Sequence, residues 1–171
     1  MTTLRVQPDV LLAQARAYGG VVRTVETAAS EPLENLTSPM RLTQPVPVRF
    51  VRGERMRTSR DALAELSAAL QLPHFAGDNW DSFDDCISDL SWLGARGLVL
   101  IVTGAREVLT KKPADLRHFV SGLERGRASW RHPNPPADPS HEPGPFTVVL
   151  QDTAAALAGL SSDWIVEQAD S

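Results

Sequence analysis

Residues 97–104 read GLVLIVTG. Two glycines bracket the segment, and the residues from Leu98 to Val102 are apolar without a break. A strand with one wet face alternates apolar and polar side chains. An unbroken β-branched run of this length instead marks a strand buried on both faces, as in a parallel sheet. "FTVVL" at 146–150 is another buried-type strand, and "VRFV" at 48–51 reads as a short strand. Between the strands lie segments of helical period. Leu63, Leu66 and Leu70 recur at helix spacing over 59–71, and Thr58 stands three residues before Asp61, close to a capping box. Pro73 follows the end of that helix, where proline cannot continue it. Pro113 suits the first turn of a later helix whose Leu116, Phe119, Val120 and Leu123 share one face. The stretch "AREVLTKK" is predicted as a short helix between them.

Strands separated by helical crossovers give an α/β fold: a small three-stranded parallel sheet flanked by helices, with an N-terminal extension. We place the extension at 1–45, the domain at 46–158 and a C-terminal tail at 159–171. Within the extension, 9–18 is expected to be a short helix ended by Gly19-Gly20, and 21–27 could add a fourth strand at an edge. Residues 30–47 carry four prolines and read as loop. Residues 132–145, "HPNPPADPSHEPGP", hold six prolines and form another loop.

Composition bounds the function. The chain has 171 residues, 17 Lys and Arg against 21 Asp and Glu, and a net charge of −4, which does not suggest a general nucleic-acid binder. Cys86 is the only cysteine, so no intramolecular disulfide framework exists and a reducing compartment is expected. No apolar run approaches a membrane span or a signal-peptide core, and we expect a cytoplasmic protein without a membrane partner. No zinc-like spacing, nucleophile elbow, P-loop or dinucleotide fingerprint occurs. Neither catalysis nor a cofactor is therefore expected.

One segment departs from this ordinary balance. Residues 72–90, "LPHFAGDNWDSFDDCISDL", hold five aspartates and no lysine or arginine. Asn79 is a good N-cap, and a helix is predicted from there to about Leu93. At about 100° per residue, Asp81, Asp85, Ser88 and Asp89 share one side with Asp84 at its edge, while Phe83, Cys86, Ile87 and Leu90 fall on the other. Asp78 extends the acidic patch into the loop before the helix. Helix-dipole stabilisation covers Asp81 and Asp78 but not Asp85 or Asp89. The pairs Asp81/Asp85 and Asp85/Asp89 are like-charged neighbours, which a helix selected only for stability would avoid. The residues alone leave two readings: a solvated face, or a binding face that wants a cation. The cation would be a basic protein surface rather than a metal, since the run lacks the glycine and alternating oxygen ligands of a calcium loop. Cys86, on the core side, reads as an inert thiol. Trp80 could be core edge or partner contact, and Trp92, Trp130 and Trp164 are expected to be packing residues.

The five arginines of 49–60, "RFVRGERMRTSR", could contact phosphate but read more simply as a solvated turn diluted by Glu54 and Asp61. An alternative function, a nucleic-acid-associated regulator or a hydrolase using the aspartate cluster, would need one of these groups to act. No acid, base and nucleophile set accompanies them.

The acidic segment resembles the barstar family, intracellular protein inhibitors of secreted ribonucleases such as barnase. The matching residues are Leu72-Pro73, Phe75, Gly77, Asp78, Asn79, Asp81, Phe83 and Asp85-Cys86, and the order of elements is similar over roughly 46–153. The resemblance implies a monomeric antitoxin or immunity protein that plugs the active site of a basic, extracellular-type ribonuclease with this helix and its preceding loop. It implies partner contacts at Phe75, Gly77, Asp78, Asn79, Asp81, Asp85, Ser88 and Asp89. Asp85 would be the central plug, and Glu124 is the nearest candidate for an acid on the later helix. Phe75 stands where the family often has tyrosine, Asp89 where glycine is expected and Leu90 where tryptophan is expected.

Overall fold

The structure, a computed structural model, describes residues 21–25, 47–77, 79–93, 98–131, 146–160 and 164. Its frame is an all-parallel sheet of β2 (Val48–Arg52), β3 (Leu98–Thr103) and β4 (Phe146–Gln151), as the three apolar runs require. A fourth strand, β1 (Val21–Val25), joins the far side of β4, giving the order β1-β4-β3-β2. Of the expected 21–27 strand, the described residues Val21–Val25 supply an edge strand from within the N-terminal extension. Register is fixed by matched apolar pairs such as Val51 with Val102 and Leu100 with Val148.

Three helices pack on one face of the sheet. They are α1 (Ser59–Leu70), α2 (Trp80–Ser88) and α3 (Leu116–Arg131). A short α4 (Ala154–Ala158) follows β4. The core takes Leu98, Leu100 and Val102 of β3 and Phe146, Val148 and Leu150 of β4 against Leu66, Phe83 and Phe119 of the helices. The alternate residues Val99, Ile101 and Val149 are buried too. Both faces of the central strands are therefore dry, which is why their sequences do not alternate.

Local signals account for the helix starts. Thr58 caps α1: its Oγ1 accepts the Asp61 N–H at 3.2 Å and donates to the Asp61 carboxylate at 2.6 Å. At the other end Gln71 takes the left-handed conformation (φ 53°), and the Leu72 N–H reaches the Ser67 carbonyl at 3.0 Å. Pro113 opens a 3-10 turn that leads into α3.

Two expectations need correction. The stretch 105–112 is not an α-helix. It forms a 3-10 turn at Ala105–Glu107, and Leu109 then adopts φ 55°. Its N–H donates to the Met56 carbonyl at 2.7 Å, and its side chain is fully buried. Burial of Leu109 and this tertiary hydrogen bond hold a backbone conformation that leucine seldom adopts. The acidic helix is also shorter than predicted and ends at Ser88. The Asp89 N–H bonds to Cys86 O at 3.1 Å, which tightens the last turn, and a separate 3-10 turn then spans Ser91–Leu93.

The helix expected at 9–18, the proline-rich loop 132–145 and Trp130's side chain lie outside the described residues. Among the described residues no helix is long and apolar enough to cross a membrane.

The acidic face of the second helix

Asn79 starts α2 as expected. Its Oδ1 accepts the Ser82 N–H at 2.9 Å and the Ser82 hydroxyl at 3.0 Å. Phe83, Cys86 and Ile87 then enter the core. Their burial leaves Asp81 and Asp85 on the outer side of the helix, where both are exposed. Among the described residues neither forms an ion pair or a hydrogen bond through its carboxylate. Asp89 is also exposed, but as the C-cap of the helix rather than a member of its regular face. Ser88 is half-buried, Asn79 exposed, and Gly77 belongs to the 3-10 turn His74–Gly77 that precedes the helix. In that turn Phe75 stands 49% exposed, edge-on to His74. Asp78 lies outside the described residues.

The rest of α2 is tied inward, which fixes the outer face. Gly122 and Gly126 of α3 lie directly against it. A Cβ added at Gly126 would sit 2.9 Å from the Ile87 carbonyl oxygen, and one at Gly122 would sit 3.2 Å from the Phe83 ring. Only glycine allows this approach. Asp84, at the edge of the face, pairs with Arg125 of α3, and its other oxygen is buried without a hydrogen-bond partner. At the start of the helix Trp80 is clamped. Its ring meets Phe83 edge-on at 5.8 Å and Phe119 at 6.1 Å, and its Nε1–H donates to Asp115 at 3.3 Å. Trp80 is therefore a core-edge residue. The hydroxyl of Ser59, then the indole of Trp80, and further the charges of His118 and Lys112, hold the Asp115 carboxyl below its ordinary range.

Cys86 lies on the buried side. Burial pushes its thiol pKa up, and the negative charges of Asp85 and Asp89 add to the effect. The group stays a protonated thiol, the opposite of an activated nucleophile. Among the described residues no three His, Cys, Asp or Glu side chains converge as a metal-binding group.

Glu124 does not join this face. Gly122 and Gly126, two residues to either side of it, point at α2, so Glu124 points to the opposite edge of α3. There it pairs with Arg127 at 2.6 Å. The residue that α3 does bring to the acidic helix is Arg125, which sequence reasoning missed. Its pairing depends on how the two helices pack. Trp92, expected to be a packing residue, is only partly so: it is 38% exposed in the turn after α2, with its Nε1–H on the Leu70 carbonyl. Trp164 does pack, edge-on to Phe119.

Comparison with known proteins agrees with this arrangement. No curated protein sequence matches the chain. The family described as Barstar (barnase inhibitor) matches residues 46–151, the span from just before β2 to the end of β4. That span is more than half of the chain and contains the sheet core, the three packed helices and the acidic face. The protein therefore belongs to the barstar family of barnase inhibitors.

Proposed function

We propose that the protein inhibits a basic, barnase-like ribonuclease by seating the outer face of α2, with the turn before it, in the enzyme's active site. A single observation carries this reading. In a chain with 17 basic residues, Asp81 and Asp85 stand exposed, and among the described residues no cation pairs with either carboxylate. Like-charged neighbours on one helix are mildly destabilising, and a basic partner would turn that cost into attraction. The carboxylates would take the places of substrate phosphates against the enzyme's Arg, Lys and His side chains. Asp85 is the centre of the docking face and Asp81 its neighbour. Phe75, Gly77, Asp78 and Asn79 border it on one side, Ser88 and Asp89 on the other. Complementary charge of this kind raises the association rate and selects among partners. Glu124 has no part, being held by Arg127 on the far edge of α3. The role is that of an immunity protein or antitoxin, monomeric when free and acting in the reducing compartment that suits its lone thiol.

The test is inhibition of RNA cleavage by a panel of barnase-like ribonucleases, with the affinity of each measured by calorimetric titration. We expect one-to-one binding, loss of cleavage, and weaker binding by Asp85→Ala. Inhibition that survives Asp81→Ala/Asp85→Ala unchanged would overturn the acidic-face mechanism. Absence of inhibition across the panel would overturn the function.

A further inference from the structure

Among the described residues three large apolar side chains are exposed: Phe50, Phe75 and Trp92. Phe50 belongs to the edge strand β2. The other two bracket the acidic helix, Phe75 in the turn before it and Trp92 in the turn after it. Trp92 is not loose. Its Nε1–H donates to the Leu70 carbonyl at 3.2 Å, so the indole is pinned over the C-terminal end of α1. From that point the chain runs through Gln71 and Pro73 into the turn that carries Phe75. Leu90 and Leu93, on either side, turn inward, Leu90 being fully buried and Leu93 packed on the core. The indole has already used its one polar group inside the molecule. What it offers to solvent is an apolar, electron-rich ring face. The charges leading up to it along the helix are Asp85 and Asp89, both exposed.

A pinned aromatic ring in the turn that follows a helix with exposed Asp81 and Asp85 matches one chemistry well: a cationic side chain. The ring attracts the cation through its quadrupole, and a planar guanidinium can also stack on it. Because a hydrogen bond fixes the ring before docking, little side-chain freedom is lost on binding. We propose that Trp92 is a partner contact, a shelf that receives an arginine or lysine from the rim of the ribonuclease. This rests on the proposed function and extends the docking surface beyond the helix to the turn after it.

The test uses the full chain labelled with 5-fluorotryptophan and the unlabelled ribonuclease of the panel that the wild-type protein inhibits. Trp92→Phe assigns the Trp92 fluorine resonance by its disappearance. We expect that resonance to move on complex formation and to lose its solvent isotope shift. Trp92→Ala should raise Kd by about tenfold, mostly through faster dissociation, while Trp92→Phe keeps most of the affinity. If Trp92→Ala does not fold, the wild-type resonance decides. An unmoved, solvent-exposed Trp92 signal in a complex that Asp85→Ala weakens would overturn this proposal and leave the inhibitor reading intact. Absence of binding to any ribonuclease of the panel would overturn both.

Discussion

Two sets of carboxylates in this molecule are treated in opposite ways. At the strand-end corner, Glu65, Glu107 and Asp152 each meet an arginine. Arg52 grips Glu65 with two side-chain hydrogen bonds, at 2.8 and 3.2 Å, and adds its backbone N–H at 3.2 Å. Arg57 reaches Glu107 at 3.0 Å, and the Arg106 N–H donates to Asp152 at 3.1 Å. On α2, Asp81 and Asp85 have no such partner among the described residues. The chain has the means to neutralise carboxylates and uses it where they join β2, α1 and the turn after β3. It leaves two of them bare on the outer helix. The corner charges are paired within the fold; in the function proposed above, the helix charges are left for the ribonuclease.

The sharpest way to break this contrast is to truncate one charge from each set. Asp85→Ala should lower affinity for the ribonuclease by about 2–5 kcal/mol, the usual cost of removing one partner of a desolvated pair. Barnase–barstar pairs themselves helped to establish such energies, so the range is an input here and not a result. The melting temperature of the free protein should not fall, because the carboxylate has no hydrogen bond or ion pair among the described residues. Titration and thermal melts of the variant check both halves. A large loss of melting temperature would move Asp85 into the structural set.

Next in size is the support beneath the face. Gly126→Val places side-chain atoms where the Ile87 carbonyl already stands. Forced overpacking of this kind typically costs about 1–3 kcal/mol. Denaturant unfolding should show that loss, and whatever inhibitor remains folded should bind less well because α2 is displaced.

Much of this was legible in the sequence. The two central strands showed as apolar-rich runs beside glycines and prolines, and the caps Thr58 and Asn79 were readable from residue type and spacing. The end of α2 was not. Leu90 and Leu93 continue the helical period, and no glycine or proline marks residue 89, so the switch at Asp89 has no local signal. Glu124 and Arg125 are adjacent in sequence, and which of them meets α2 depends on the glycine contact between helices. Their facing became readable only once Gly122 and Gly126 were seen against Phe83 and Ile87. The segment 21–27 looked like a strand, but nothing in it names β4 as its neighbour.

The Asp115 junction gives a pH-dependent test of the structural set. Its carboxyl pKa is depressed in the fold, first by Ser59 and then by Trp80. A depressed pKa means that the folded state binds the proton more weakly than the unfolded chain. The stabilisation is therefore complete above the unfolded value of about 4 and is lost as pH falls through the lower folded value. Glu65, depressed by Arg52, acts in the same direction. Asp115→Asn should cost about 1–2 kcal/mol at neutral pH and flatten the acid limb of the stability curve. Thermal melts between pH 7 and pH 3 read both, since the loss should appear only at the neutral end. A smaller effect is expected at the corner. Glu65→Gln should lower stability by about 0.2–1 kcal/mol, given the exposure of Arg52, and leave ribonuclease binding unchanged.

A comparably small effect concerns Asp89, which stands between the two sets. It is exposed like Asp85, yet it occupies the C-cap of α2, where the helix dipole disfavours an anion. A cation at this end would stabilise the helix, so the dipole by itself disfavours a carboxylate here. Asp89→Asn keeps the size and hydrogen-bonding capacity of the side chain and removes only the charge. The free protein should gain about 0.3–1 kcal/mol at low salt, and the gain should shrink as salt screens the dipole. Binding should weaken, but only by about 0.2–1 kcal/mol, because the cap lies at the rim of the docking face where water is not expelled. One substitution would then move stability and affinity in opposite directions, the signature of a charge kept for a partner at the expense of the fold. Thermal melts at low and high salt, with titration against the ribonuclease, measure the two. A melting temperature that falls would mean that the Asp89 carboxylate holds its own turn together and belongs with Glu65. A binding loss as large as that of Asp85→Ala would put the centre of docking at the C-terminal end of the helix, toward Trp92.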